Sequence, residues 1–126
     1  MPTHTISQSW ARAGEVITPV PYQITDDAET NADAPVAANA TNQDFAIVFK
    51  GGTNLKSITF YATFQVTIRV NSSATPDLTL TWPSAGGYYH WDNTQGSVNP
   101  LPNDVHDLFF TSTPGGTVTV RALYHV

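Results

Sequence analysis

Four histidines, ten carboxylates and no cysteine carry whatever acid–base or metal chemistry this 126-residue chain has. His90 and Asp92 lie two residues apart, and so do Asp104 and His106; His4 and His125 stand alone. On a strand, residues i and i+2 face the same way, so each pair could offer two ligands to a metal ion. No third ligand follows at a recognisable spacing. No metal site and no cofactor is therefore expected, and NDVHDL reads as a turn entering a strand. The missing cysteine excludes disulfides and thiolate metal sites. Gly-x-Ser-x-Gly, the setting of an exposed nucleophilic serine, is absent. So is a glycine-rich phosphate loop between a strand and a helix. Paired carboxylates for glycoside hydrolysis need only proximity in space. The acids, however, gather at Asp26, Asp27, Glu29 and Asp33, where solvated loop charge is the plainer account. The expectation is that the chain is not an enzyme.

The most pointed feature is aromatic. TWPSAGGYYHWDN places Trp82, Tyr88, Tyr89 and Trp91 within ten residues around Gly86-Gly87. Consecutive tyrosines cannot both face the core of a regular strand, so Tyr88 or Tyr89 points outward. Exposed aromatics serve protein interfaces or sugar stacking. The plainer alternative is that Trp82 and Trp91 fill the core.

These residues must be positioned by strands. SITFYATFQVTIRV alternates without a miss: Ile58, Phe60, Ala62, Phe64, Val66, Ile68 and Val70 are apolar, and mostly threonine separates them. As one strand it would run about 43 Å at ~3.3 Å per residue. A domain of this length is only about 36 Å across. A hairpin or sharp bend is expected near Ala62-Thr63. A three-residue loop or a bulge there would keep the apolar side in phase, because a two-residue turn would reverse it. Further strands are read at 44–49, 77–82, 87–91, 105–111 and 117–124, with turns at Gly51-Gly52 and Pro114-Gly115-Gly116. No helical period emerges; the only candidate, 32–40, is broken by Pro35.

The first 25 residues read as an extended N-terminal arm or edge strand, since Pro19 and Pro21 cannot donate to a ladder. Residues 26–43 read as a long acidic loop, and 26–126 as a single β-sandwich domain. The fold expected is all-β: two antiparallel sheets in a jelly-roll-like sandwich, with an Ig-like sandwich as second choice. The N-terminus, MPTHTISQSW, has neither a basic nor an apolar signal region, so no secretion signal is expected.

Net charge is −5, and the five basic residues form no cluster. That speaks against nucleic acid and against anionic membranes as partners. Charged residues make up only 12% of the chain, about half the usual share. A polar but weakly charged surface suits contact with other chains; a threonine-rich β protein would also have it.

From Leu55 to Val126 the chain resembles small proteins encoded beside the major capsid protein of tailed bacteriophages. The residues that carry this are Asn71-Ser72-Ser73 followed by Pro76-Asp77, the aromatic strand GGYYHW, and the Asn99-Pro100 step. Asp104, Val105 and Leu108 continue it, and Val118, Val120, Arg121, Leu123 and Tyr124 close it. The resemblance implies a non-enzymatic virion protein, a head decoration or cement protein on the capsid exterior. Its partner would be the major capsid protein, and its common state a homotrimer. The residues expected at interfaces are Trp10, Pro19, Pro21, Tyr22, Tyr88, Tyr89 and Trp91. The alternative is a carbohydrate-binding module, or a phage fibre or tail domain, that uses the exposed aromatics.

Overall fold

Alternation along Ser57–Val70 organises the whole molecule. In the computed structural model Leu55–Ala62 and Val66–Val70 are two strands, joined by the three residues Thr63-Phe64-Gln65. The three-residue link is as expected, but no hairpin forms. The two strands lie in different sheets and do not pair. The bend carries the chain from one sheet to the other, so the apolar side stays inward throughout. Ile58, Phe60, Ala62, Phe64, Val66, Ile68 and Val70 are all buried. The threonines consequently divide between two opposite outer faces.

The structure describes residues 2–6, 10–12, 15–17, 22–26, 28–94 and 96–126, with side chains described at 2–5, 26, 28–94 and 96–126. The strands are β1 (Thr3–Ile6), β2 (Trp10–Arg12), β3 (Glu15–Ile17), β4 (Tyr22–Thr25), β5 (Ala28–Val36) and β6 (Ala40–Phe49). They continue with β7 (Leu55–Ala62), β8 (Val66–Val70), β9 (Thr79–Trp82), β10 (Gly87–Asp92), β11 (Val105–Ser112) and β12 (Gly116–Tyr124). A short 3-10 turn at Gly52–Asn54 precedes β7.

β5 to β12 form two antiparallel four-stranded sheets, ordered β10-β7-β12-β5 and β6-β11-β8-β9. Counted from β5, the orders are 6-3-8-1 and 2-7-4-5. That is the double Greek key of a jelly roll. Among β5 to β12, β8 and β9 form a hairpin within one sheet, and every other consecutive pair crosses the sandwich. Phe60, Phe110, Ile58, Ile68, Leu108 and Val120 fill the space between the sheets and are fully buried. Tyr89 reaches the same core, its ring centroid 6.5 Å from that of Phe60.

The expected loop at 26–43 is instead strand β5 and the start of β6. Thr30, Ala32, Ala34 and Val36 face inward, while Glu29, Asn31, Asp33 and Pro35 face out. Alanine contributes so little apolar surface that the period-2 signal is faint, and acids and proline are poor strand formers. Position explains why they are tolerated. β5 is an edge strand, paired only with β12, so proline's missing N–H breaks no ladder bond. The turn to β6 uses Asn39 at φ 58, a conformation asparagine adopts more readily than most residues.

Loops at one end are tied to the strands by asparagine side chains. Asn71, at φ 68, accepts from the His106 backbone N–H at 2.9 Å, and its amide donates to Asp77 (2.8 Å) and to the Asp104 carbonyl (2.9 Å). Asn99 donates to the Gly52 carbonyl at 2.7 Å and accepts from the Leu101 backbone at 2.8 Å. This seats Leu101, which is fully buried. Gly51 is required here: a Cβ would sit 1.9 Å from the Asn103 carbonyl oxygen.

The N-terminal segment pairs with itself, β1 with β4 and β2 with β3, both antiparallel. The Asp26 backbone N–H, donating to the Pro2 carbonyl at 3.1 Å, closes the β1–β4 pair, and His4 ties it to Ser57 of the sandwich.

Candidate functional site

The outer face of the sheet β10-β7-β12-β5 gathers most of the chemistry-bearing side chains. Register places them in three rows. Asp92, Ser57, Leu123 and Glu29 form one; His90, Thr59, Arg121 and Asn31 the next; Tyr88, Tyr61, Thr119 and Asp33 the third. Alternation from the buried inner residues turns all twelve outward. Even so, Ser57, Asp92 and Leu123 are 0% exposed. Leu123 is buried outside the cluster that fills the sandwich. Three of the four residues of the first row are therefore dry, and His4 of β1 meets this row at Ser57 and Glu29.

Two hydroxyl–imidazole–carboxylate chains run across this face. His4 meets the Ser57 hydroxyl through Nδ1 at 3.1 Å and the Glu29 carboxylate through Nε2 at 3.3 Å. His90 meets the Thr59 hydroxyl through Nδ1 at 2.8 Å and Asp92 through Nε2 at 2.8 Å. A carboxylate cannot donate, so Nε2–H of His90 donates to Asp92. The second oxygen of Asp92 accepts from the backbone N–H and the hydroxyl of Thr94. No buried side-chain nitrogen or oxygen among the described residues lacks a partner.

Ser57, His4 and Glu29 are the residue types of an acyl-transfer triad. Ser57, however, is wholly buried, so no substrate carbonyl has access to its oxygen. The His90 and Asp92 side chains are 3% and 0% exposed. What these chains do is hold β1 against β7 and β5, and β10 against β7.

The remaining titratable groups lie elsewhere. Asp104 does not share a site with His106. It accepts from the Gly51 backbone N–H at 3.0 Å and from Lys50 at 3.4 Å, and the Gly51 bond holds its carboxyl below the ordinary value. His106 turns to Asp107 at 2.7 Å. Asp107 is depressed by that contact, while Asp44 is raised by the hydrogen bond it shares with Asp107. Among the described residues, no group of three or more His, Asp or Glu side chains is placed to hold a metal ion.

Of the expected interface residues, Tyr88 is 57% exposed on the outer face, beside Tyr61 at 46%. Tyr89 points inward, and burial pushes its phenol up. Trp91 is buried in the core and donates its indole N–H to the Ser97 carbonyl at 3.1 Å. With Trp82 also buried, the four aromatics form no common platform. Trp10 and Tyr22 lie in β2 and β4, with side chains outside the described residues. Pro19 and Pro21 lie outside the described residues altogether.

Sequence alone gave no reason to single out Ser57, Tyr61 or Asn31, nor to bring Glu29 and Arg121 beside them. Tyr61 was visible as an aromatic on the polar side of the alternation; the others meet only through the strand order. A hollow of about 390 Å³ opens over this face, lined by His4, Thr5, Glu29, Asn31, Thr59, Tyr88 and Arg121. A second cleft of about 550 Å³ lies at one end of the sandwich, beside Trp91, Lys56, Asn93, Val98 and Asn99.

Fold and face together define a jelly-roll β-sandwich with a self-paired N-terminal arm fastened to one outer face. No protein-family model, curated protein or solved structure matches the chain.

Proposed function

We propose that this protein is a non-enzymatic structural component of a tailed-phage virion, a head decoration or cement protein on the outer capsid surface. The observation that carries this reading is the arm. The described strands of this segment pair with one another, β1 with β4 and β2 with β3, and His4 ties them to Ser57 of the sandwich. An arm of this kind offers strand edges to a second chain, and strand addition supplies affinity through main-chain hydrogen bonds. The weakly charged surface agrees with it, since interface cores are depleted in charge. The resemblance of residues 55–126 to capsid-associated phage proteins points the same way.

The mechanism is binding alone. Each copy contributes modest affinity for the major capsid protein, and a lattice of equivalent sites supplies multivalency. A homotrimer would present three arms. Light scattering on the free protein tests that state, with an expected mass three times the 13.6 kDa of the chain. Co-sedimentation with undecorated capsids tests the function. Saturable binding at a fixed number of copies per capsid is expected; protein that stays in the supernatant at every concentration would overturn the proposal.

A further inference from the structure

We propose that the hollow over the outer face of β10-β7-β12-β5 is a binding site for a neutral saccharide, a segment of one or two sugar rings.

The hollow measures about 390 Å³, within the range of small-ligand sites. Its walls are spaced for an extended ligand. Asn31 stands on edge strand β5 and Tyr88 on edge strand β10, three strand spacings away, or about 14 Å. Thr59 and Arg121 form the floor between them.

Chemistry selects the class of ligand. Tyr88 is 57% exposed, with its ring stacked over His90 at a centroid distance of 6.4 Å and an interplanar angle of 20°. An aromatic ring held by a buried imidazole, and open on more than half its surface, suits the C–H face of a pyranose. Opposite it, the Asn31 side chain makes no hydrogen bond with any described residue, and Glu29 is bound through only one of its oxygens, to His4. An unused amide and a half-used carboxylate, two residues apart on one strand face, suit the paired donors and acceptors of a diol.

Charge argues against an anion. Arg121 is the guanidinium nearest the hollow, but NH1 donates to the carbonyls of Ala32 (3.2 Å) and Val120 (2.9 Å), and NH2 donates to Asp33 at 3.3 Å. Its charge is already answered by Asp33, and Glu29 adds a negative charge to the rim. A neutral ligand rich in hydroxyls gains from these groups; a carboxylated or phosphorylated one meets Glu29.

The test is an amide-resolved NMR titration of the full chain with cellobiose, lactose and N,N′-diacetylchitobiose, and with glucuronate as the charged comparison. Saturable shifts at Asn31, Thr59, Tyr88 and Arg121 are expected with at least one disaccharide, at a dissociation constant of millimolar order. Tyr88→Ala is expected to weaken that binding about tenfold or more, and Asn31→Ala several-fold. Tyr88→Phe keeps the ring and should stay within about threefold of the parent, as should Tyr61→Ala, which lies outside the hollow. The proposal is overturned if no disaccharide moves these amides, if Tyr88→Ala binds as the parent does, or if glucuronate binds more tightly than the neutral sugars.

Discussion

The two outer faces of the roll are built from the same strand pattern and end in opposite states. On the β10-β7-β12-β5 face, Ser57, Asp92 and Leu123 are dry, and two histidines bridge hydroxyls to carboxylates. On the β6-β11-β8-β9 face, Asp44, Thr79 and Thr81 are exposed, and the contacts are looser. Thr67 reaches Thr81 at 3.5 Å, and Arg69 reaches Asn42 at 3.1 Å. The difference lies in what covers the face. Where His4 of β1 meets Ser57, polar groups lose water and must be satisfied internally, and in the same row the outward Leu123 is buried. Where the face is open at Asp44, Thr79 and Thr81, threonine and water suffice. The dry row should therefore be the sensitive part, and the open face the tolerant one.

The largest expected effect is Asp92→Ala. It strips His90 and Thr94 of a fully buried acceptor, and should cost about 3 kcal/mol in urea unfolding. Leu123→Ala should follow at about 2–3 kcal/mol, although Leu123 lies outside the main core. On the open face, Thr81→Ala should stay within about 0.5 kcal/mol. Equal costs for Asp92→Ala and Thr81→Ala would erase the contrast between the faces.

The open face should instead show itself in pH dependence. Asp44 is raised by its hydrogen bond with Asp107, so its contribution is present below the ordinary aspartate value and is lost as pH rises through the raised one. Asp107, depressed by His106, acts in the opposite sense: its contribution is present above the ordinary value and is lost as pH falls through the lowered one. Asp44→Asn removes the first component and keeps the second. Its urea midpoint should fall less than the parent's as pH is raised from about 4 to about 6. Parallel profiles for the two proteins would show that the Asp44–Asp107 bond carries no such linkage.

Much of the roll was legible in the sequence because its strands obey one rule. Ser57–Val70 declared its alternation, and the three-residue link that preserves phase followed from geometry. What alternation cannot say is which sheet the next strand joins, so of the two expected forms, hairpin or sharp bend, the chain takes a bend that crosses between sheets. β5 escaped notice because Ala32 and Ala34 are weak apolar markers and Asp33 and Pro35 look like loop residues. The dry row was least legible. Ser57 is an ordinary outward position until His4, distant in sequence, is laid against it. Arg121 and Asn31 acquire meaning only when β12 pairs with β5.

In the proposed role the arm binds the capsid and the sandwich carries the arm. Co-sedimentation with undecorated capsids, comparing the full chain with residues 26–126, tests this most directly. The expected result is a shortened protein that keeps its β-sheet circular dichroism, unfolds at lower urea because Ser57 is uncovered, and no longer pellets with capsids. A shortened protein that saturates capsids as the full chain does would contradict it.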